Sequence, residues 1–317
     1  MANTKYISMN TTEATKRGLV FWIFCSIAAL FLLVVISYGI LKFFVVVPNG
    51  EFSFENKKYT YSLHLPKNFS VEKSYSLVVI LHGQTSTGEQ TEFYTGFNNT
   101  ADRHNLIAVY PNLSHIEWPW STEEGTRKKS TYINALISHL SSTYKINQRQ
   151  MYFIGFSAGS VSGFRYLQDN PGKFAAAALI AGGAPKALYP ASGPFATLPI
   201  LLMSGTADQA THGNADILGV SESAESYVKS NGCDAQPANK EVLPDLDPDD
   251  HSTINKYTYR CPKNLAVQYY EVVNGGHHWP GARFNAALLN KNAQGNFNRD
   301  IDTGELIWDF FSKTGMN

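Results

Sequence analysis

The segment MYFIGFSAG (151–159) constrains the fold of this chain more than any other stretch. An apolar run ends at GFSAG, and apolar residues then return at helical spacing at Val161, Phe164 and Leu167. The pattern predicts a buried strand, a sharp turn and a helix. In a G-x-S-x-G turn between strand and helix, the serine has a strained backbone and an exposed hydroxyl. Ser157 is therefore a candidate nucleophile, and the alternative is a buried serine in an ordinary glycine-rich turn.

Composition and charge limit the classes of partner. The chain has 317 residues, 44% of them hydrophobic and 16% charged, which is enough to bury a large core. Its 26 basic and 26 acidic residues balance, so no net field would attract nucleic acid. We expect a neutral or locally recognised substrate and no nucleic-acid partner.

The N-terminal region contains an uncharged apolar run at 18–41. Its 24 residues would extend about 36 Å as a helix, enough to cross a bilayer. A cleaved signal peptide is the main alternative, but its apolar region is usually shorter, about 7–15 residues, and ends at a small-residue site that is not seen here. Lys16 and Arg17 precede the run and Lys42 alone follows it closely, which places the N-terminus in the cytoplasm. We expect a cytoplasmic tail at 1–17, a transmembrane signal anchor at 18–47 and a periplasmic or extracellular domain at 48–317, secreted if the anchor is cleaved.

Strand-like and helix-like patterns alternate through the rest of the chain. Short apolar runs bounded by turn residues are typical of strands buried on both faces of a parallel sheet. We predict strands at 58–65, 77–81, 106–111, 151–154, 174–181, 198–204 and 265–273, and helices at 101–104, 132–144, 216–230 and 302–311. This alternation predicts one α/β domain with a mainly parallel, doubly wound sheet.

A serine nucleophile needs a histidine to accept its proton and a carboxylate to orient the imidazole. On this kind of sheet both follow the nucleophile, the acid before the histidine, in loops after later strands. Asp208 comes just after the strand at 198–204, whereas Asp216 lies in or near a helix and is a weaker candidate.

Four histidines follow the serine. His212 and His251 lie in polar loops, where a histidine is usually solvated. His277 and His278 follow a predicted strand and a glycine pair, at a point where the backbone can turn sharply. The residues alone do not separate these two.

Other loops contain candidates for substrate binding. The strand at 77–81 ends at His82, Gly83 and Gln84, a position from which such folds supply a backbone N–H to an oxyanion hole. The alternative is an ordinary strand-to-helix turn. Three tryptophans, Trp118, Trp120 and Trp279, are candidates to line a substrate cleft, although tryptophans in loops also cover cores.

Two cysteines and an acidic segment are candidates for a disulfide and for metal sites. Cys233 and Cys261 are the only cysteines after the apolar run, and in an oxidising compartment they would tend to pair. Neither has a second ligand at the C-x-x-C spacing of a zinc site. The acidic segment 245–250 has the alternate spacing of a calcium loop, but it lacks the glycine at the sixth position and has Lys256 in place of the final glutamate. We expect a solvated acidic loop there.

Eight segments of the chain are similar to motifs of one known family. They are LVVILHGQTSTGEQ (77–90), TGFNNTADRHNLIAVYPN (95–112), MYFIGFSAG (151–159), KFAAAALIAGG (173–183), PILLMSGTADQ (199–209), NGC (231–233), GGHHWPG (275–281) and ELIWDFF (305–311). Through these segments the chain resembles the polyhydroxybutyrate depolymerase-like and feruloyl or acetylxylan esterases, a group of α/β-hydrolases. The resemblance implies Ser157 as nucleophile, Asp208 as acid and His277, directly after the two glycines, as base. It also implies a Cys233–Cys261 disulfide, oxyanion donors at the backbone N–H groups of Ala158 and a residue near Gln84, and no metal or other cofactor.

The resemblance and the residues together predict a membrane-anchored serine carboxylesterase. Its expected substrates are polyhydroxybutyrate oligomers, feruloyl esters or acetyl esters. One alternative is a peptidase or thioesterase, because fold and triad do not set the leaving group. A second alternative is a non-catalytic surface protein on a hydrolase scaffold. The presence of all three candidate residues, Ser157, Asp208 and His277, counts against it.

Overall fold

A ten-stranded sheet organises the part of the chain that the structure, a computed structural model, describes. The described residues are Cys25, 49–113, 119, 122–186, 195–212, 216–284 and 295–314. The strands are β1 (Gly50–Phe54), β2 (Lys57–His64), β3 (Tyr75–Leu81), β4 (Leu106–Pro111), β5 (Ile146–Phe156), β6 (Ala176–Ile180), β7 (Ile200–Gly205), β8 (Asn239–Val242), β9 (Thr253–Tyr259) and β10 (Val267–Val273).

Helices cover the sheet. They are α1 (Gly88–Thr95), α2 (Asn98–His104), α3 (Glu123–Thr143), α4 (Ala158–Asp169), α5 (Gln209–His212), α6 (Val220–Ser230) and α7 (Thr303–Thr314), with a 3-10 turn at Pro248–Asp250. The last helix begins as predicted, because the Asp302 carboxylate accepts the backbone N–H of Glu305 at 3.2 Å.

The centre of the sheet is parallel. The strand order is β1-β2-β4-β3-β5-β6-β7-β10-β9-β8, and each neighbouring pair from β4 to β10 is parallel. Every residue of β3, β4, β6 and β7 is buried, as the continuous apolar runs predict. The predicted parallel, doubly wound centre is therefore present.

Two hydrophobic cores lie on the two faces of this sheet. Alternate residues of β3 separate between them, Leu77 and Val79 on one face, Val78 and Ile80 on the other. Helices α3, α4 and α6 cover the first face, and α1, α2 and α7 cover the second. Because both faces are covered, the open positions lie at the ends of the strands.

The two edges of the sheet are antiparallel, so the sheet as a whole is mixed. At one edge β1 pairs with β2 and β2 with β4; at the other β10 pairs with β9 and β9 with β8. The sequence patterns do not predict β1, β8 or β9. These strands are short or polar and half-exposed, so they lack the apolar runs that mark the centre.

The acidic segment 245–250 is only partly the solvated loop that we expected. Asp245 and Asp249 are exposed, but Asp250 is buried and accepts the backbone N–H groups of Ser252 at 2.8 Å and Arg299 at 2.7 Å. The buried carboxylate thus fastens two loops. Within the described residues, no cluster of three His, Cys, Asp or Glu side chains could hold a metal ion.

A disulfide joins Cys233 to Cys261 and closes a loop of 28 residues in sequence separation. The loop contains β8 and β9, so the disulfide fastens the antiparallel edge to the parallel centre. Closing a loop of this length is worth about 3–4 kcal/mol in the chain-entropy model.

The predicted membrane anchor at 18–47 lies outside the described residues apart from Cys25, which is helical and exposed. Among the helices that the structure does describe, none combines the length and apolar character needed to span a bilayer.

Candidate active site

Ser157 lies in the sharp turn between β5 and α4. Its backbone is strained, with φ 54° and ψ −121°, and its N–H donates to the carbonyl of Ile180 at 2.9 Å. The two flanking glycines are required by close approach: a Cβ at Gly155 would lie 2.6 Å from the carbonyl oxygen of Gly159, and a Cβ at Gly159 would lie 2.5 Å from that of Leu81. This is the predicted strand, turn and helix.

Ser157, His277 and Asp208 form a continuous chain of hydrogen bonds. The Ser157 Oγ lies 2.8 Å from Nε2 of His277, and Nδ1 of His277 lies 2.8 Å from Oδ2 of Asp208. The other carboxylate oxygen, Oδ1, accepts the backbone N–H groups of Ala210 at 2.9 Å and Thr211 at 3.3 Å. Asp208 is fully buried, so these donors fix its orientation. The geometry suits proton transfer from the serine to an oriented imidazole.

These side chains meet because their strands end at the same edge of the sheet. Serine follows β5, and the acid and the histidine follow the adjacent strands β7 and β10. The two later loops are packed together tightly: the N–H of Ala207 donates to the carbonyl of Gly275 at 2.9 Å, and a Cβ at Gly205 would lie 2.1 Å from that same carbonyl oxygen. The sheet thus brings together residues that are up to 120 positions apart.

The structure distinguishes among the histidines and aspartates that the sequence offered as candidates for the base and the acid. His277 faces the serine, whereas the neighbouring His278 is buried, and neither of its ring nitrogens makes a hydrogen bond of normal geometry with the residues that the structure describes. His251 and Asp216 are exposed and do not join the chain of hydrogen bonds. The side chain of His212 lies outside the described residues.

The loop after β3 passes directly against Ser157. A Cβ placed on Gly83 would lie 3.6 Å from the serine Oγ, and Gln84 follows it at the surface. Ala158 is the first residue of α4, where a backbone N–H has no partner in the preceding turn of helix. The loop at Gly83 and the first turn of α4 therefore both adjoin Ser157.

His82 holds this loop in place, a role that the sequence analysis missed. Its Nδ1 lies 2.7 Å from the carbonyl oxygen of Gly83, so Nδ1 carries the hydrogen, and Nε2 accepts the backbone N–H of Leu113 at 3.0 Å. Burial lowers the pKa of His82, which keeps the ring neutral and this tautomer in place. The sequence feature that could have indicated this role is a polar histidine placed directly after a continuously apolar strand.

Lys129 is a second residue that the sequence analysis missed. It is buried, and its Nζ donates to Ser162 Oγ at 3.0 Å on the helix that begins after the nucleophile. Burial lowers the pKa of Lys129 to about 7. The available signal was spacing, because Lys129 precedes Tyr132, Ile133 and Leu136 by three, four and seven positions and so shares their buried helix face.

One aromatic ring contacts His277, and a second lies next to that ring. The Phe156 ring is partly exposed, and its centroid lies 5.8 Å from that of His277. Trp279, predicted as a cleft residue, is only 1% exposed, and its ring centroid lies 6.3 Å from that of Phe156. Its side chain therefore packs against Phe156 in the interior and offers almost no surface to a substrate. Trp118 and Trp120 lie outside the described residues.

A sheet with a parallel centre, helices on both faces and a nucleophile turn at the carboxyl end of a central strand defines the α/β-hydrolase fold. The chain belongs to the Esterase family, described as "Putative esterase", whose model matches residues 53–294. It is accordingly a carboxylic ester hydrolase.

Known proteins similar to this chain are also esterases. The "Putative esterase NocK" of Nocardia uniformis subsp. tsuyamanensis is 25% identical over 79% of this chain and 78% of its own length. A bifunctional acetylxylan esterase/xylanase of Neocallimastix patriciarum is 24% identical over 68% of this chain but only 30% of that larger protein. Among solved structures, an acetyl xylan esterase from Aspergillus awamori superposes with a TM-score of 0.54 at 13% identity, over 80% of this chain and 94% of its own, which supports the fold.

Proposed function

We propose that the chain is a serine carboxylesterase in which Ser157 is the nucleophile, His277 the general base and acid, and Asp208 the orienting carboxylate. The observation that carries this proposal is the pair of 2.8 Å hydrogen bonds that joins the three side chains. A serine hydroxyl is a weak nucleophile, and this arrangement is the one that activates it.

The reaction would proceed in two halves. As the Ser157 Oγ attacks the ester carbonyl carbon, Nε2 of His277 takes its proton, and the buried Asp208 stabilises the imidazolium. The backbone N–H groups of Ala158 and Gln84 would donate to the oxyanion of the tetrahedral intermediate. His277 then gives the proton to the leaving alcohol, and a water molecule, activated by the same imidazole, releases the acid from the acyl-enzyme.

The proposed substrates are acetyl esters, feruloyl esters and hydroxybutyrate oligomers. The printed name of the Neocallimastix relative includes acetylxylan esterase activity, which supports the first of these. The partly exposed ring of Phe156 beside His277 supplies an apolar surface for an acyl or alcohol group. Comparing acetyl, feruloyl and hydroxybutyryl esters of one alcohol would rank the three acyl groups.

The test is hydrolysis of p-nitrophenyl acetate and butyrate by the full chain and by two serine variants. Ser157→Ala is expected to lose the activity. Ser160→Ala is the matched control, because its hydroxyl bonds the carbonyl of Gly182 at 2.7 Å and takes no part in the proposed chemistry. Hydrolysis that persists in Ser157→Ala would refute the proposal, and an amide substrate cleaved faster than its ester would favour a peptidase.

We also propose that residues 18–47 anchor the enzyme in a membrane, with the catalytic domain periplasmic or extracellular. The support is the uncharged apolar run of 24 residues and the basic residues before it. Fractionation of cells that express the full chain, followed by protease treatment from outside, would test it. Recovery in the soluble cytoplasm would refute the anchor and leave the proposed chemistry untouched.

A further inference from the structure

His278 is an unusual residue for the interior of a protein. It is 4% exposed, and within the described part of the chain neither of its buried ring nitrogens has a hydrogen-bond partner in normal geometry. A buried polar atom without a partner costs about 1–3 kcal/mol of folding free energy. An imidazole with two such nitrogens would therefore destabilise the folded protein substantially. Its neighbour His277 is already held by two hydrogen bonds.

The ring of His278 is neutral. Burial and the adjacent His277 lower its pKa, while the backbone of Gly295 acts in the opposite direction. A neutral imidazole has one N–H donor and one bare nitrogen acceptor. The Gly295 backbone interacts with the ring as an acceptor for its N–H donor, so the bare nitrogen still requires a donor of its own.

A small cavity adjoins this ring. It has a volume of about 10 Å³, which is the size that one water molecule requires. Its wall includes the polar residues His278, Ser204, Asn296 and Asn298, the glycines that end β7 and follow β10, and the apolar residues Met203, Val272 and Pro280. Because polar residues and backbone contribute to the wall, it differs from the dry, wholly apolar cavities of protein cores.

The cavity lies where the catalytic loops meet. Gly205, which leads to Asp208, and Gly276, which precedes His277, both line it. The segment that begins at Gly295 closes the junction: the N–H of Gly276 donates to the carbonyl of Asn296 at 2.9 Å, and a Cβ on Gly295 would lie 2.6 Å from the Gly276 nitrogen. A group bound in this cavity would therefore contact both loops at once.

We propose that the cavity binds one ordered water molecule, and that His278 accepts a hydrogen bond from it and so acts as a positioning residue for His277 and Asp208. The water would bridge the imidazole to polar groups of the β7 and β10 loops. His278 does not touch the substrate; it sets the distance between the base and its orienting carboxylate. This inference rests on the proposed function for its catalytic part, whereas the water site stands on the structure alone.

The first test uses two replacements at one position. His278→Leu removes both ring nitrogens and is expected to lower kcat for p-nitrophenyl acetate by about 10–100-fold with KM within about twofold, since a misplaced catalytic group costs rate rather than binding. His278→Gln offers a donor and an acceptor and should recover kcat to within about threefold of the wild type. His139→Leu, a part-buried histidine on α3 that contacts Tyr61, is the matched control and should keep its full kcat. A folded His278→Leu protein with kcat within twofold of the wild type would overturn the positioning role.

The second test needs no variant. A crystal structure of the wild-type protein at high resolution should show a water molecule within hydrogen-bond distance of a ring nitrogen of His278. A dry cavity, or a ring nitrogen bonded directly to protein in its place, would overturn the water site. If the wild type hydrolysed no ester, the proposed function would fail, and this crystallographic result would still decide the site.

Discussion

The parallel centre and the antiparallel β8–β9 edge of this molecule differ in what their residues do. At the centre, β5, β7 and β10 end in short loops that bring Ser157, Asp208 and His277 together. At the edge, polar and half-exposed strands pair antiparallel with β10, and one disulfide fastens them further. We expect substitutions of the Ser157, Asp208 and His277 side chains to remove activity and leave the fold, and substitutions at the edge to do the reverse.

The largest effect is expected at the buried acid. Asp208→Asn keeps the shape of the side chain but favours the wrong tautomer of His277, and should lower kcat for p-nitrophenyl acetate by about 10⁴-fold. The exposed Asp216→Asn is the matched control and should keep its rate. A loss of less than tenfold in Asp208→Asn would show that this carboxylate is not the orienting acid.

At the edge, replacing Cys233 and Cys261 together by serine should lower the free energy of unfolding by about 3–4 kcal/mol. Cys261 comes before β10 and His277 comes after it, so the disulfide and the histidine lie toward opposite ends of that strand. The kcat of the folded fraction should therefore not change. Urea unfolding and steady-state kinetics on one preparation would measure both. Cys25→Ser controls for the loss of a thiol. A large loss of kcat with unchanged stability would contradict the proposed division between centre and edge.

The same division explains what the sequence predicts and what it does not. Continuous apolar runs identify the central strands, because both faces of those strands are buried, and the residues at their ends then become the site candidates. The edge strand β8 has the sequence NKEV and is mostly exposed, so no apolar pattern reveals it. The burial of His82, Lys129 and His278 was not predicted, because burial of a polar side chain depends on packing that periodicity does not report.

The nucleophile turn links activity and stability, and its glycines can be tested. Gly159→Ala would place a Cβ 2.5 Å from the Leu81 carbonyl oxygen, and should cost about 1–3 kcal/mol of unfolding free energy together with activity. Gly219→Ala is the control, since its Cβ would meet nothing closer than 3.6 Å. Thermal unfolding that shows equal stability for the two variants would contradict the tight approach of strand and helix.

The smallest effect concerns pH and Lys129. Its pKa is lowered to about 7 in the folded protein from 10.5, so between these values the unfolded chain binds more protons and stability rises with pH. The slope from this group is at most about 1.4 kcal/mol per pH unit. Lys129→Met should remove that slope, and Lys128→Met, the part-exposed neighbour paired with Glu124, should not. Urea unfolding at pH 7, 8 and 9 measures the slope of the unfolding free energy against pH. Equal slopes for the wild type, Lys129→Met and Lys128→Met would show that folding does not lower the pKa of Lys129.

The most direct test of the proposed mechanism is covalent labelling. The full chain would be treated with a serine-directed phosphonate, and the adduct would be located by mass spectrometry of its peptides, alongside residual hydrolysis of p-nitrophenyl butyrate. The proposed mechanism predicts a single adduct at Ser157, loss of hydrolysis in proportion to labelling, and neither adduct nor hydrolysis in Ser157→Ala. Labelling at another residue, or full hydrolysis by the labelled protein, would contradict it.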